Sequence, residues 1–400
     1  MKKYVLENGV RFLYKFREGK HTSFTIALEA GANSEEKNIG CAHALEHMLF
    51  KGSKNLTEQK INSKLDELFG FNNAMTNFPY VIYYGTTSNE DFKEGFNLYS
   101  DIVLKPTLNS NGFIEEMNVI KQESIEWKED LEQYCEDLLL LNGFKKERLE
   151  QIIIGNVDEL EKITLHHIKE FYKKFYIANN MVISITTSLD FDYVKQIVLN
   201  NFKDINRGVL NLVEIKRELN ESKTFINDIQ GIEGAKIAVA FDIQNLSLRE
   251  LWILKIFNLW FGEGVSSLLF DEIRTKKGLA YEVYSEVKGE KGINLFKISL
   301  STNKEDINES LNIINECIEK AKNLYLNEKD LKTLEKRFNL KTSLELERSI
   351  VVANRTAIYE LMYNDGSYVF KEMDNRNCTI EEMREVVNKV LNNAIIQILK

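Results

Sequence analysis

His43, Glu46 and His47 fall within one five-residue stretch, and on a helix they share a face. Four residues bring the two imidazoles to about 40° apart in projection, and Glu46 lies about 60° to the other side. Imidazoles at i and i+4 are a zinc-binding arrangement, and a glutamate beside them that is not a ligand can take a proton from water. The order H-x-x-E-H inverts the commoner H-E-x-x-H. The competing reading is a part-buried helix whose polar groups are satisfied by ordinary neighbours. Histidine usage argues against it: the chain has five, the others being His21, His166 and His167, and two of the five stand at ligand spacing. Ala44, Leu45, Met48 and Leu49 surround them, so the site would be buried, where unpaired imidazoles are costly. Cys41 lies about 200° round the helix from His43 and reads as a small core residue.

A third ligand is expected from the glutamate-rich helical pattern over 112–141, whose apolar positions include Phe113, Met117, Ile120, Ile125, Trp127 and Leu131. Glu116 and Glu123 are seven residues apart and share nearly one face, whereas Glu126 and Glu129 rotate away. Spacing alone does not choose between these acids.

The elements that must hold these helices follow from periodicity and turn chemistry. Residues 2–15 alternate around Asn8-Gly9 as a hairpin, and a strand follows at 22–28. The motif helix ends towards Gly52, a second helix spans 57–69, and two strands meet near Pro79. Helices over 89–104 and 163–175, a strand over 180–187 and a helix over 190–202 complete a first domain, 1–205. The polar stretch 206–224 reads as a linker to a second, 225–400.

In the second domain the order recurs: strand 235–241, helices 246–261 and 266–275, two strands within 280–301, helix 308–324. The run 62–68 has a weak echo in 266–273, which indicates internal duplication. No histidine follows His167, so only the first copy can bind zinc through imidazole. The expected fold class is α+β, two duplicated domains, each a mainly antiparallel sheet flanked by helices.

At 400 residues the chain is long enough for two cores. Only two prolines argue against proline-rich linkers, and a net charge of −9 gives no basic footprint for nucleic acid or anionic membrane. The N-terminus lacks the apolar run of a secretory signal, and no stretch approaches a membrane span. Cys41, Cys135, Cys317 and Cys378 are far apart without a C-x-x-C pair, consistent with reduced thiols in the cytoplasm.

The chain resembles the pitrilysin, insulysin and mitochondrial processing peptidase family of inverted zincins, especially its small bacterial members. The likeness rests on residues 40–52, on Asn73-Ala74-Met75-Thr76, on 116–123, on 262–274 and on Gly278-Leu279-Ala280-Tyr281. It implies one Zn2+ per subunit, held by His43, His47 and Glu123, the last 76 residues beyond His47. Glu46 would be the general base and Glu116 an acid that orients a ligand. Asn73 and Ala74 would lie on the edge strand along which extended peptides are bound. Arg274 and Tyr281 would stabilise the oxyanion from the second-domain side; without the likeness they read as a surface arginine and a packing tyrosine.

The resemblance implies a metalloendopeptidase acting on short, extended or unfolded peptides. A protease dedicated to maturing one ribosomally made peptide and a non-catalytic peptide-binding subunit are the alternatives. A homodimer is implied, or a heterodimer with a related subunit, in which Arg274 and Tyr281 of one chain complete the other's zinc site.

Overall fold

The computed structural model describes residues 1–144, 148–210, 222–371 and 377–400. In chain order it runs β1 (Lys2–Val5), β2 (Arg11–Phe16), β3 (His21–Leu28), α1 (Cys41–Leu49), α2 (Glu58–Leu68), β4 (Phe69–Thr76), β5 (Val81–Ser88), α3 (Phe92–Leu104), α4 (Phe113–Glu126), α5 (Leu131–Gly143), α6 (Val157–Leu160), α7 (Leu165–Phe175), β6 (Met181–Thr187) and α8 (Phe191–Phe202). The second half continues with β7 (Lys223–Asn227), β8 (Gly234–Asp242), α9 (Leu248–Phe261), β9 (Ala280–Glu290), β10 (Ile293–Asn303), α10 (Ile307–Asn323), α11 (Glu328–Glu345), α12 (Ser349–Tyr363), α13 (Tyr368–Lys371), α14 (Ile380–Val390) and β11 (Ile395–Leu399).

The duplication is visible in strand order. The first sheet runs β1-β2-β6-β3-β5-β4 and the second β7-β11-β8-β10-β9. Each contains one parallel pair, β2 with β6 and β7 with β11, and the remaining partners are antiparallel. Laying β2-β6-β3-β5-β4 over β7-β11-β8-β10-β9 matches every pairing in direction. The fold is therefore α+β with two repeated, mainly antiparallel sheets. β1 is extra to the first, and β4 and β9 are corresponding edge strands.

The chain divides into two compact units that are not contiguous stretches. The first comprises Met1–Ile125, Ile152–Glu214 and Leu344–Lys371; the second comprises Glu126–Gln151, Ile215–Ser343 and Glu372–Lys400. Most of the expected linker 206–224 lies outside the described residues. Within the first unit α12 lies across β3 and β6, and within the second α5 lies across the corresponding β8 and β11.

Each covering helix carries a buried glutamate that meets cations of its sheet. Glu360 on α12 accepts from Lys3 at 2.6 Å and lies 3.6 Å from Arg11. Glu136 on α5 bonds Lys288 and the almost fully buried Lys297. Burial alone would raise the Glu136 carboxyl, but the two lysines outweigh it and hold it below the usual carboxylate range.

The single long helix expected over 112–141 is two helices. α4 ends at Glu126, a 3-10 turn spans Trp127–Glu129, and the Asp130 carboxylate accepts from the Glu132 and Gln133 amides at 3.0 and 3.1 Å. That cap starts a new helix where periodicity alone shows continuity. It also lets α4 and α5 belong to different units.

Candidate metal site

α1 is made of good helix formers, Ala, Leu, Met and Glu, behind Gly40, whose backbone is left-handed (φ 86°). Cys41, Ala42, Ala44, Leu45, Met48 and Leu49 are buried against the first unit's core. Burying Leu45, Met48 and Leu49 contributes about 1.5–3 kcal/mol each. The opposite face carries His43, Glu46 and His47, all half-buried. Cys41 is part of the core, and burial, with the nearby Glu35, pushes its thiol well above the usual range.

The rings of His43 and His47 meet edge to face at 4.6 Å between centroids. α4 brings Glu123 to them: Oε1 lies 3.9 Å from His43 Nε2 and Oε2 lies 3.7 Å from His47 Nε2. Among the described residues, His43, His47 and Glu123 are the one set of three or more His, Cys, Asp or Glu with ligand atoms all within 4.8 Å of one another. Glu116, two turns earlier on α4, bonds His47 Nδ1 at 2.8 Å and is itself held by Lys51 Nζ at 3.1 Å. Burial would raise the Glu116 carboxyl, but His47 and Lys51 outweigh it and keep it ionised below the usual range. An ionised Glu116 accepts the proton of Nδ1, which leaves the Nε2 lone pair of His47 facing Glu123.

These residues fit a metal ion. His43 is driven neutral by burial and by the neighbouring His47, its pKa lowered to about 3. Its Nδ1 is buried without a hydrogen-bond partner, and its Nε2 is too far from Glu123 for a hydrogen bond to compensate. Two imidazole nitrogens and a carboxylate oxygen leaving a fourth position open is the donor set of a catalytic zinc site.

Glu46 stands beside this group. Burial raises its carboxyl above the usual value, against the hydrogen bond from Thr76 and the pull of His47, with Glu123 adding to the rise. Thr76 Oγ1 donates to Glu46 Oε2 at 2.5 Å. Thr76 is the last residue of β4, so the helix and the edge strand meet at Glu46. On the same strand Asn73 is exposed and Ala74 half-buried; the Asn73 side chain turns back to accept from the Ala74 amide at 2.9 Å. Lys51 and Thr76 are functional-site residues that pattern reading missed. The run Asn73-Ala74-Met75-Thr76 carries part of the family likeness, but nothing in it marks Thr76 as a partner of Glu46.

Arg274 and Tyr281 lie in the second unit. The Arg274 guanidinium sits 4.8 Å from the Phe270 ring centroid and 4.9 Å from that of Tyr281, and Tyr281, on β9, is 82% exposed. Arg274 belongs to a π-helical turn, Phe270–Thr275, where an ordinary helix was expected.

Residues 12–157 match the family model described as insulinase (peptidase family M16), and residues 162–338 match the one described as the peptidase M16 inactive domain. An uncharacterized zinc protease of Rickettsia felis is 28% identical over 304 residues, 74% of this chain and 72% of that one. Another, of Bacillus subtilis, is 23% identical over 364 residues, covering 90% and 88%. The fold is that of a Helicobacter pylori protease (TM-score 0.91, 20% identity, 100% and 99% covered). It is also that of a Pseudomonas fluorescens structure described as a peptidase M16 inactive domain (TM-score 0.90, 18% identity, 100% and 97% covered). Among the described residues no helix is long and apolar enough to cross a membrane.

Proposed function

The chain belongs to the M16 peptidase family, and from that premise we propose that it is a zinc metalloendopeptidase hydrolysing short, extended or unfolded peptides. The observation that carries this reading is the convergence of His43, His47 and Glu123 from two helices, with Glu46 alongside. The metal when bound supplies Lewis-acid chemistry, polarising the scissile carbonyl and making water acidic enough to attack near neutral pH.

The polypeptide does the rest. Thr76 holds Glu46 Oε2, leaving Oε1 to receive a proton from the attacking water. Burial lifts that carboxyl towards the pH at which a base must both accept a proton and return it to the leaving amine. Glu116 fixes the tautomer and orientation of His47. β4 is an edge strand, so a substrate backbone can add to it as a further strand beside Asn73 and Ala74, a mode that reads main chain more than sequence.

A second copy of the chain would bring Arg274 and Tyr281 to the carbonyl, where a guanidinium and a phenol stabilise the tetrahedral oxyanion. Four buried, unpaired thiols support a cytoplasmic setting. Glu46→Gln is expected to keep one zinc per chain by metal analysis while cleavage of an internally quenched peptide falls about 10²–10⁴-fold; full activity in that variant would overturn the mechanism. Mixing Glu46→Gln chains with Tyr281→Phe chains is expected to restore part of the activity. No recovery in verified mixed dimers would reject a shared site.

A further inference from the structure

α1 has no side-chain cap of its own. Its N-cap is Gly40, in a left-handed conformation, and neither Gly40 nor the first helical residues can supply an acceptor. The carboxylate that does so comes from outside the helix. Glu35 is buried at 7% exposure, and its Oε2 accepts from the Gly40 amide at 3.1 Å and its Oε1 from the Ala42 amide at 2.7 Å. One carboxylate thus takes two of the donors that a helix start leaves unsatisfied, and its charge faces the positive end of the helix dipole.

The segment carrying Glu35 is fastened elsewhere. The Ala32 amide donates to Asn77 O at 2.9 Å and the Asn33 amide to Phe78 O at 2.7 Å. Gly31 packs so closely that a Cβ there would lie 2.2 Å from Asn77 O, so no other residue fits without displacing the chain. Asn77 follows Thr76, which donates to Glu46. The contacts close a ring: Glu46 to Thr76, Asn77 to Ala32, Glu35 to the start of α1, and α1 back to His43, Glu46 and His47.

We propose that Glu35 is a positioning residue of the metal site, setting where α1 lies along its axis relative to the β4 edge and hence where both imidazoles and Glu46 stand. It acts through the backbone amides of Gly40 and Ala42. The role rests on the zinc peptidase reading, and it deepens that reading by tying the metal site and the substrate strand to one buried carboxylate.

The test uses the full chain, stripped of metal and titrated with Co2+, whose visible absorption reports ligand geometry. Glu35→Gln keeps the shape but places an amide donor against one of the two amides. It is expected to weaken Co2+ binding about tenfold or more, alter the absorption bands and lower kcat with little change in KM. Glu35→Asp retains the charge and is expected to recover part of the affinity, and it serves equally if the glutamine variant does not fold.

Thr57→Ala is the matched control, since Thr57 caps α2 by accepting from the Lys60 amide. It should lower the thermal midpoint and leave Co2+ affinity unchanged. If both Glu35 variants lower only the midpoint while affinity, spectrum and kcat stay at wild-type values, Glu35 is a helix cap alone and the inference fails. If the wild-type chain itself does not bind Co2+, the peptidase reading fails and this inference with it.

Discussion

The covering helices and α1 bury charge in opposite ways. On the covering helices, Glu136 and Glu360 each lie against cations of the polypeptide: Lys288 and Lys297 for one, Lys3 and Arg11 for the other. Those networks are complete within the chain. Around α1, two imidazoles and a glutamate converge while a second glutamate stands by, and His43 Nδ1 is left without a partner. Buried polar groups without partners cost stability and persist where function requires them. A bound cation would be a partner common to Glu123, His43 and His47.

The corresponding end of the second unit makes the contrast sharper. α9 follows β8 as α1 follows the corresponding β3, and it carries Ile253, Ile256 and Phe257. All three are buried. α1 carries two histidines and a glutamate on one face, whereas α9 has no histidine.

That contrast can be broken experimentally. The largest effect is expected at the ligands: His43→Ala should lose zinc on dialysis, measured by metal analysis, and with it peptide cleavage to background. Lys297→Met leaves Glu136 buried without one of its two lysine partners and should destabilise the protein by about 3–5 kcal/mol in urea unfolding at pH 7. A value near zero would show that Lys288 alone suffices.

The loss should depend on pH. The folded-state pKa of Glu136 is depressed, so its contribution is present above the ordinary carboxylate range and disappears as pH falls through the folded value. The gap between wild type and Lys297→Met should therefore narrow in unfolding curves recorded at about pH 3.5. Glu116→Gln, which removes the ionised acceptor of His47 Nδ1, should weaken zinc affinity about 10–100-fold in a chelator competition assay. The smallest effect is expected for Phe257→His, which should leave zinc stoichiometry at one per chain, because a single imidazole in an apolar helix has no partner ligands.

Local periodicity made much of this visible in the sequence. His43 and His47 are one turn apart on one helix and Glu116 and Glu123 two turns apart on another, so helical geometry alone aligns each pair. Repeated element order exposed the duplication, and the strand pairings bear it out. Contacts between residues distant in sequence left no local pattern. Thr76 on Glu46, Lys51 on Glu116 and Glu35 on the start of α1 are ordinary residues that acquire meaning only from packing. The break at 127–130 was hidden because one capping aspartate in an acidic helical run looks like any other surface charge. α5 and α12 each pack on a sheet distant in sequence, where Glu136 meets Lys288 and Lys297 and Glu360 meets Lys3 and Arg11.

The most direct measurement is a crystal structure of the zinc-loaded protein with anomalous differences recorded at the zinc edge. One peak is expected in the first unit, about 2.0–2.2 Å from a nitrogen of His43, a nitrogen of His47 and an oxygen of Glu123. A zinc-saturated crystal with no peak among those three residues, or with its peak elsewhere, would contradict the account.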